Sequence, residues 1–412
     1  MVKIRPFKGI RPKQALSEAV ASPPYDVLST KEVEEIVARQ PQSFLRIIRP
    51  EVNHNGNAGD VDLYQSAKEQ FESYQSQGIL EQDQEAMFYL YRLTWQGQSQ
   101  IGLISSITVE EYDQDIIKRH ELTRPDKEED RANHVDTVNA NTGPLFLTYR
   151  NHADMDNLVN DKVTTAADVD FTAEDDVRHE IWVLDTTHNE TIKHIFTTID
   201  ALYVADGHHR MAAASRVRKR RIEKHGPGTG NEGYNYALAV LFPDNQLRVL
   251  DYNRVIRTLN GKSSDEILAQ LAETFTVNTV STNSEAKPSN SKQFGMYLDD
   301  QWYSLTFKDS VSIPNDPVKS LDVSLLQDLV LEPIFGIENP RTDKNIDFVG
   351  GIRGLEELEK RCNDDAKVAF AFYPTSVEEL INVADAQLLM PPKSTWFEPK
   401  LRSGLVVHPL GE

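Results

Sequence analysis

The chain has 412 residues, 39% of them hydrophobic and 26% charged, with a single cysteine, Cys362. That length exceeds one ordinary core and predicts two domains, while one cysteine excludes a disulfide framework and a cysteine-built metal site. A formal net charge of −20, from 44 basic and 64 acidic residues, repels nucleic acid and anionic membrane at long range.

No apolar run reaches the length of a membrane span, and the opening "MVKIRPFKGIRPKQAL" carries no signal-peptide core. A cytosolic protein with neither nucleic-acid nor membrane partners is therefore expected, and the sequon at Asn189 reads as coincidence. In chain order, "SPPYDVL" (22–28) predicts an extended turn, because Pro23 and Pro24 oppose helix. Ser29 with Glu32 makes a capping box before a helix in "KEVEEIVARQ". "SFLRIIRPE" (43–51) predicts a strand, "NHNGNAGD" (53–60) a polar loop, and 64–78 a helix. Residues 86–112 alternate as a hairpin turning near Gly97.

A charged segment (113–136) and the apolar "NTGPLFLTYR" (141–150) follow. A helix is expected over 152–169, a strand over 178–185 and a short buried strand over 201–205. The next helix, from about 208 to 224, is stopped by "KHGPG"; its run "RVRKRRIEK" (216–224) predicts a solvated face. A strand covers 234–242. From 261 the character changes: helix in "SSDEILAQLAETF", loop over 281–292, hairpin over 294–307, helix from 324 until Pro333, and a capped helix in "TSVEELINVADA". Strands and helices mix without a βαβ rhythm, which predicts an α+β fold. An N-terminal region, 1–260, precedes a C-terminal α+β domain, 261–412.

The stretch "YVADGHHRMAAAS" (203–215) hands a strand over to a helix through Asp206 and Gly207. Unpaired N–H groups and the dipole at the helix start favour an anion. Gly207 lets the backbone approach closely, and His208, His209 and Arg210 add donors. Asp206, with His208, also offers two ligands to a metal. The competing reading is an Asp cap with two histidines packed at a helix end.

In "IIKRHELTRPDKEEDRANHVDTVNANTGP" (116–144), Lys118, Arg119, His120, Arg124, Lys127 and Arg131 form a basic island in an acidic chain. Glu121, ringed by these cations, is a candidate general base; a solvated helix face with i,i+4 pairs is the alternative for Lys127 and Arg131. "MPPKSTWFEPK" (390–400) places Lys393, Ser394 and Thr395 in a proline-stiffened loop. Gly228, Gly230 and Gly233 match G-x-G-x-x-G but follow a helix and precede a strand, the wrong order for a dinucleotide turn. Walker A and HExxH patterns are absent from the sequence.

Residues 206–210, "DGHHR", resemble the strand–turn–helix element of free-serine kinases in the ParB–sulfiredoxin superfamily. With "SPPYDVLS" (22–29), "SFLRIIRPE" (43–51), "KRHELTRPDKEEDR" (118–131), "NTGPLFLTY" (141–149) and "MPPKSTWFEPKLRSGLVVHPL" (390–410), the chain resembles the long uncharacterised-domain family that includes pyrophosphate-dependent L-serine kinases. The resemblance implies a ParB/sulfiredoxin/serine-kinase-like core in 1–260 and a C-terminal tail that returns to the active site. It implies phosphoryl transfer from pyrophosphate to L-serine, with Mg²⁺, giving O-phosphoserine. Gly207, His208, His209 and Arg210 would then bind phosphate, with charge from Arg119, Lys127, Arg131 and Lys393. Glu121 would accept the serine proton, His208 would also act in catalysis, and Asp206 would orient Mg²⁺ or the hydroxyl. Ser22, Tyr25, Asp26, Asn141, Thr395 and Lys400 would contact the substrate. ATP or ADP as donor, and a ParB-like nucleotide-binding regulator without turnover, are the alternatives. Oligomeric state stays open.

Overall fold

The computed structural model describes residues 1–54 and 61–411, so most of the 53–60 stretch, expected to be a loop, lies outside the described residues. The chain divides into two units, one of residues 1–247 with 399–412 and one of residues 248–398. The boundary expected at 260/261 therefore falls inside the second unit. Both units mix helices with sheet, an α+β architecture. No helix among the described residues is long and apolar enough to cross a membrane.

The first unit is organised on a nine-stranded sheet. At its centre is the hairpin expected near Gly97, Tyr89–Trp95 with Gln98–Thr108. Gln96 and Gly97 both have positive φ (50° and 76°), the turn geometry that matches the twist of paired strands. Tyr236–Pro243 pairs antiparallel with Gln98–Thr108 and parallel with Leu145–Tyr149. Leu145–Tyr149 pairs antiparallel with Leu202–Asp206, which in turn pairs parallel with the short Ile117–Lys118. This last pairing lays the chain after Lys118 beside the turn after Asp206.

Helix His208–His225 packs on helix Pro125–Val138, with Ala132, Ala213, Val217, Tyr234 and Leu410 buried in one cluster. Its arginine run is not the solvated face expected from the sequence. Arg216 donates to Glu128 (2.9 Å) and Glu129 (3.1 Å), Arg220 to Asn133 (2.8 Å) and Arg221 to Asp136 (2.8 Å). These acidic partners belong to the facing helix, and Arg218 and Lys219 reach Asp113 (3.5 and 3.4 Å), so charge matching to packed neighbours, rather than hydration, accounts for much of the run.

The segment 43–51 is also not a strand. Leu45–Ile48 is a helical turn and Pro50–His54 a 3₁₀ turn. Leu45, Ile47 and Ile48 are buried against Val20, Phe71 and Tyr74; a short apolar run fits a buried helix as well as a strand, and burial on several sides decides it here. Helix Ala153–Lys162 ends earlier than expected, and Val169–Thr172 is a strand. The tail 399–412 threads through the first unit: Val407 exchanges backbone hydrogen bonds with Ile10 (2.9 Å each way), Ser403 does so with Ser22, and His408–Pro409 pairs with Ala140–Asn141.

The second unit carries a six-stranded antiparallel sheet. Its helices include Ser264–Thr274 and Val377–Asp385, both opened by complete capping boxes. The helical run expected to stop at Pro333 continues through it as Asp322–Leu326, a π segment Gln327–Leu331, and Glu332–Phe335. The wider π turn just ahead of Pro333 relieves the ring's clash with the preceding turn.

Two buried histidines carry a pH consequence for the first unit. His134 Nε2 lies 2.9 Å from the Ile47 carbonyl, and His408 Nδ1 lies 3.3 Å from Asn141 Nδ2. Burial pushes His134 down to about 4 and His408 down to about 3 from the ordinary 6.5. Each binds its proton more readily unfolded, so stability is complete above about pH 6.5 and declines as pH falls towards 4. The expected result is a lower urea midpoint at about pH 5 than at about pH 7. A His134→Gln variant should show a shallower decline, and equal slopes would remove His134 from the effect.

Candidate functional site

Strand Leu202–Asp206 ends at Gly207, whose φ of +94° starts helix His208–His225. A Cβ built on Gly207 would sit 3.0 Å from Arg210 Nε and 3.1 Å from Arg210 Cζ. Glycine is thus required twice, for the left-handed backbone and for the guanidinium lying against it. Gly207→Ala is expected to lose about 1–2 kcal/mol of stability and to displace Arg210; an unchanged urea midpoint would show the turn to be tolerant.

Arg210 donates to the Pro144 carbonyl, and its Nη2 lies 3.8 Å from Asp206 Oδ2. Asp206 accepts the Gly207 N–H (2.9 Å) through Oδ1 and Lys400 Nζ (3.2 Å) through Oδ2. Burial by itself would raise the Asp206 carboxyl, but the Lys400 ammonium and the Arg210 guanidinium outweigh it and hold the group well below the usual carboxylate range. About a third of the Asp206 side chain (34%) stays exposed, so this anion remains reachable.

A pocket is lined by Pro24, Tyr25, Arg131, Asn141, Gly143 and Arg210, among others. Only 14% of the Arg131 side chain and 13% of the Arg210 side chain is exposed. The Arg131 guanidinium lies 4.2 Å from the Tyr25 ring centroid and 2.7 Å from Asp130. Burial pushes the Tyr25 hydroxyl up to about 12, so it stays protonated and able to donate. Two guanidiniums withdrawn from water thus border one pocket, each beside a carboxylate, Asp130 or Asp206.

Part of the basic island lies against the helix start. The Arg124 N–H donates to His209 Nε2 (3.1 Å). The His120 and His208 rings meet edge to face with centroids 4.5 Å apart, and a ligand-capable atom from each of His120, Glu121 and His208 lies within 4.8 Å of the others. Burial pushes His120 down to about 4, and burial together with the nearby His120 pushes His208 well below its ordinary value, so both rings are neutral near pH 7.

The other expected residues have their own local surroundings. Ser22 is fully buried, its hydroxyl donating to the Val20 carbonyl (3.0 Å), accepting the Leu45 N–H (3.2 Å) and bonding Ser43 Oγ (2.8 Å). That is a structural post behind the pocket, not part of its wall. Asp26 and Lys127 are exposed. Arg119 Nη1 donates to the Tyr112 hydroxyl (3.4 Å), with the guanidinium 5.8 Å from that ring. Lys393 and Thr395 belong to the second unit, where Lys393 Nζ lies 5.6 Å from the Tyr252 ring and the Lys393 carbonyl accepts from Arg254 (3.0 Å).

Sequence reasoning gave no role to Thr142, Gly143, Pro144 or Ser403, although Thr142, Gly143 and Ser403 line the pocket and Pro144 receives Arg210. The Thr-Gly-Pro run inside an apolar segment was the available signal. The sequence places His120 in the basic island, and without an HExxH pattern gives it and Glu121 no zincin role.

Comparison with curated proteins returned no match. Among solved structures, a conserved hypothetical protein from Pyrococcus furiosus is 14% identical, with a TM-score of 0.34 over 73% of this chain and 93% of that one. SbnI from Staphylococcus aureus, truncated at its C-terminus, is 12% identical, with a TM-score of 0.39 over 74% and 87% of the two chains. A free serine kinase in complex with AMP is 12% identical, with a TM-score of 0.34 over 72% and 86%. These similarities are remote. The model of the family described as "Protein of unknown function (DUF1015)" matches residues 4–324, most of the sequence, and the chain belongs to that family.

Proposed function

We propose that this protein is a phosphotransferase that moves a phosphoryl group from pyrophosphate to the hydroxyl of free L-serine. What supports the reading most is one juxtaposition: Arg131 and Arg210, both nearly buried, share a pocket beside the Asp206–Gly207 turn of a protein whose net charge is −20. Each guanidinium has one carboxylate neighbour, Asp130 or Asp206, and a bound anion would offset what remains of the cost of withdrawing both from water.

The serine oxygen attacks a phosphorus of the donor, and the bridging P–O bond breaks to release phosphate. The hydroxyl proton passes to Glu121. Asp206 is too strongly held as an anion by Lys400 and Arg210 to be an effective base, and its task is to orient the hydroxyl or the magnesium that accompanies the donor as a salt. The helix start at His208 and the Arg210 guanidinium receive phosphate oxygens; Arg131, Tyr25 and Asn141 receive the amino acid. Phosphoryl transfer depends on such positioning and charge neutralisation more than on covalent help.

The test is a donor screen with free L-serine and Mg²⁺, comparing pyrophosphate, ADP and ATP, with O-phosphoserine as the readout. Product with pyrophosphate is the expected result. Product only with ADP or ATP would replace the donor. No product with any of them, together with measurable nucleotide binding, would replace catalysis by a ParB-like regulatory role.

A further inference from the structure

We infer that His120, Glu121 and His208 form a binding site for one divalent transition-metal ion of the zinc class. Their ligand-capable atoms already lie within 4.8 Å of one another. Metal–ligand bonds of about 2.0–2.2 Å place neighbouring ligand atoms some 3–3.5 Å apart, so small side-chain rotations close the set.

His208 supplies the second, independent observation. The residue is 93% buried (7% exposed), and its side-chain Nε2 has no hydrogen-bond partner. A buried polar atom left so is costly unless something else fills its place. The His120 ring hydrogen-bonds the Val204 backbone, the outer contact that commonly fixes the tautomer and orientation of a ligating imidazole.

The donor set selects the ion. Two imidazole nitrogens and one carboxylate suit zinc, cobalt or iron, whereas Mg²⁺ favours oxygen ligands. Asp206 is outside this set, since its oxygens accept from Gly207 and Lys400. Three protein ligands leave a coordination position open to water or to an oxygen of a bound anion. Ligation through one Glu121 oxygen leaves the other able to accept a proton. The site stands whether or not the phosphotransfer reading does.

The experiment uses the full chain stripped with a chelator and titrated with Co²⁺, with visible d–d absorption as the readout rather than activity. One ion per chain is expected, retained in excess Mg²⁺. His120→Ala and His208→Ala should each weaken binding at least about a hundredfold, the upper end of what even an outer-shell partner contributes. Glu121→Gln, at a half-buried position that leaves the helix pair untouched, should also weaken it and guards against misfolding of the histidine variants. No Co²⁺ spectrum in the unmodified protein, displacement by Mg²⁺, or unchanged binding in folded Glu121→Gln would overturn the assignment.

Discussion

Replacing Arg210 by alanine is expected to lower turnover at least about a hundredfold while the fold stays intact. One positioned donor to a developing charge typically contributes about 3–4 kcal/mol to the barrier, and among the described contacts Arg210 is the only side chain that both lines the pocket proposed to take the donor and borders the Asp206–Gly207 turn. The fold tolerates the loss because Asp206 keeps its Lys400 partner and the Gly207 N–H. Helix packing runs instead through Met211, Ala213, Ala214 and Val217, all buried. Arg210→Lys should recover only part of the rate, since an ammonium lacks the planar fork that grips two phosphate oxygens. Single-turnover measurement of O-phosphoserine against urea midpoints separates the two effects. Near-normal turnover in Arg210→Ala would remove this residue from the site.

Glu121→Gln is expected to cost more. General base catalysis contributes about 10²–10⁴-fold, and glutamine keeps the shape of the side chain while removing its capacity to take a proton. Donor affinity should change little, because the proposed donor contacts come from the helix start and Arg210. The pH dependence of the rate distinguishes this role from simple support: with the base gone, the fall in rate at the acidic end should disappear from the profile of the residual activity. A retained acidic limb at full amplitude, or unchanged turnover, would transfer the base to another group. Because the same residue belongs to the inferred metal set, His120→Ala provides the control, losing Co²⁺ binding while keeping the Glu121 carboxylate.

Several features of this protein are written in adjacent residues. The strand–turn–helix at 202–225 follows from an apolar run, then Asp-Gly, then an alanine-rich helical stretch; both the geometry of Gly207 and the helix start are local consequences. The hairpin at Gly97 and the capping boxes at Ser29 and Ser376 were legible for the same reason, since each needs only neighbours within four residues. Where local pattern is ambiguous it misled: the apolar run at 45–48 fits helix or strand, and only the surrounding side chains choose.

The candidate site itself was decided at long range. Lys400 reaches Asp206 across 194 residues, His120 meets His208, and Arg131 joins Arg210 on one pocket. None of these meetings is encoded by spacing. They follow from the parallel register of Ile117–Lys118 on Leu202–Asp206, the docking of two helices, and the C-terminal tail threaded between Ile10 and Asn141. Residue chemistry thus names which groups are able to bind an anion or move a proton. Only the packing of distant segments, driven by burial of apolar surface that no single segment can satisfy alone, determines which of them face each other.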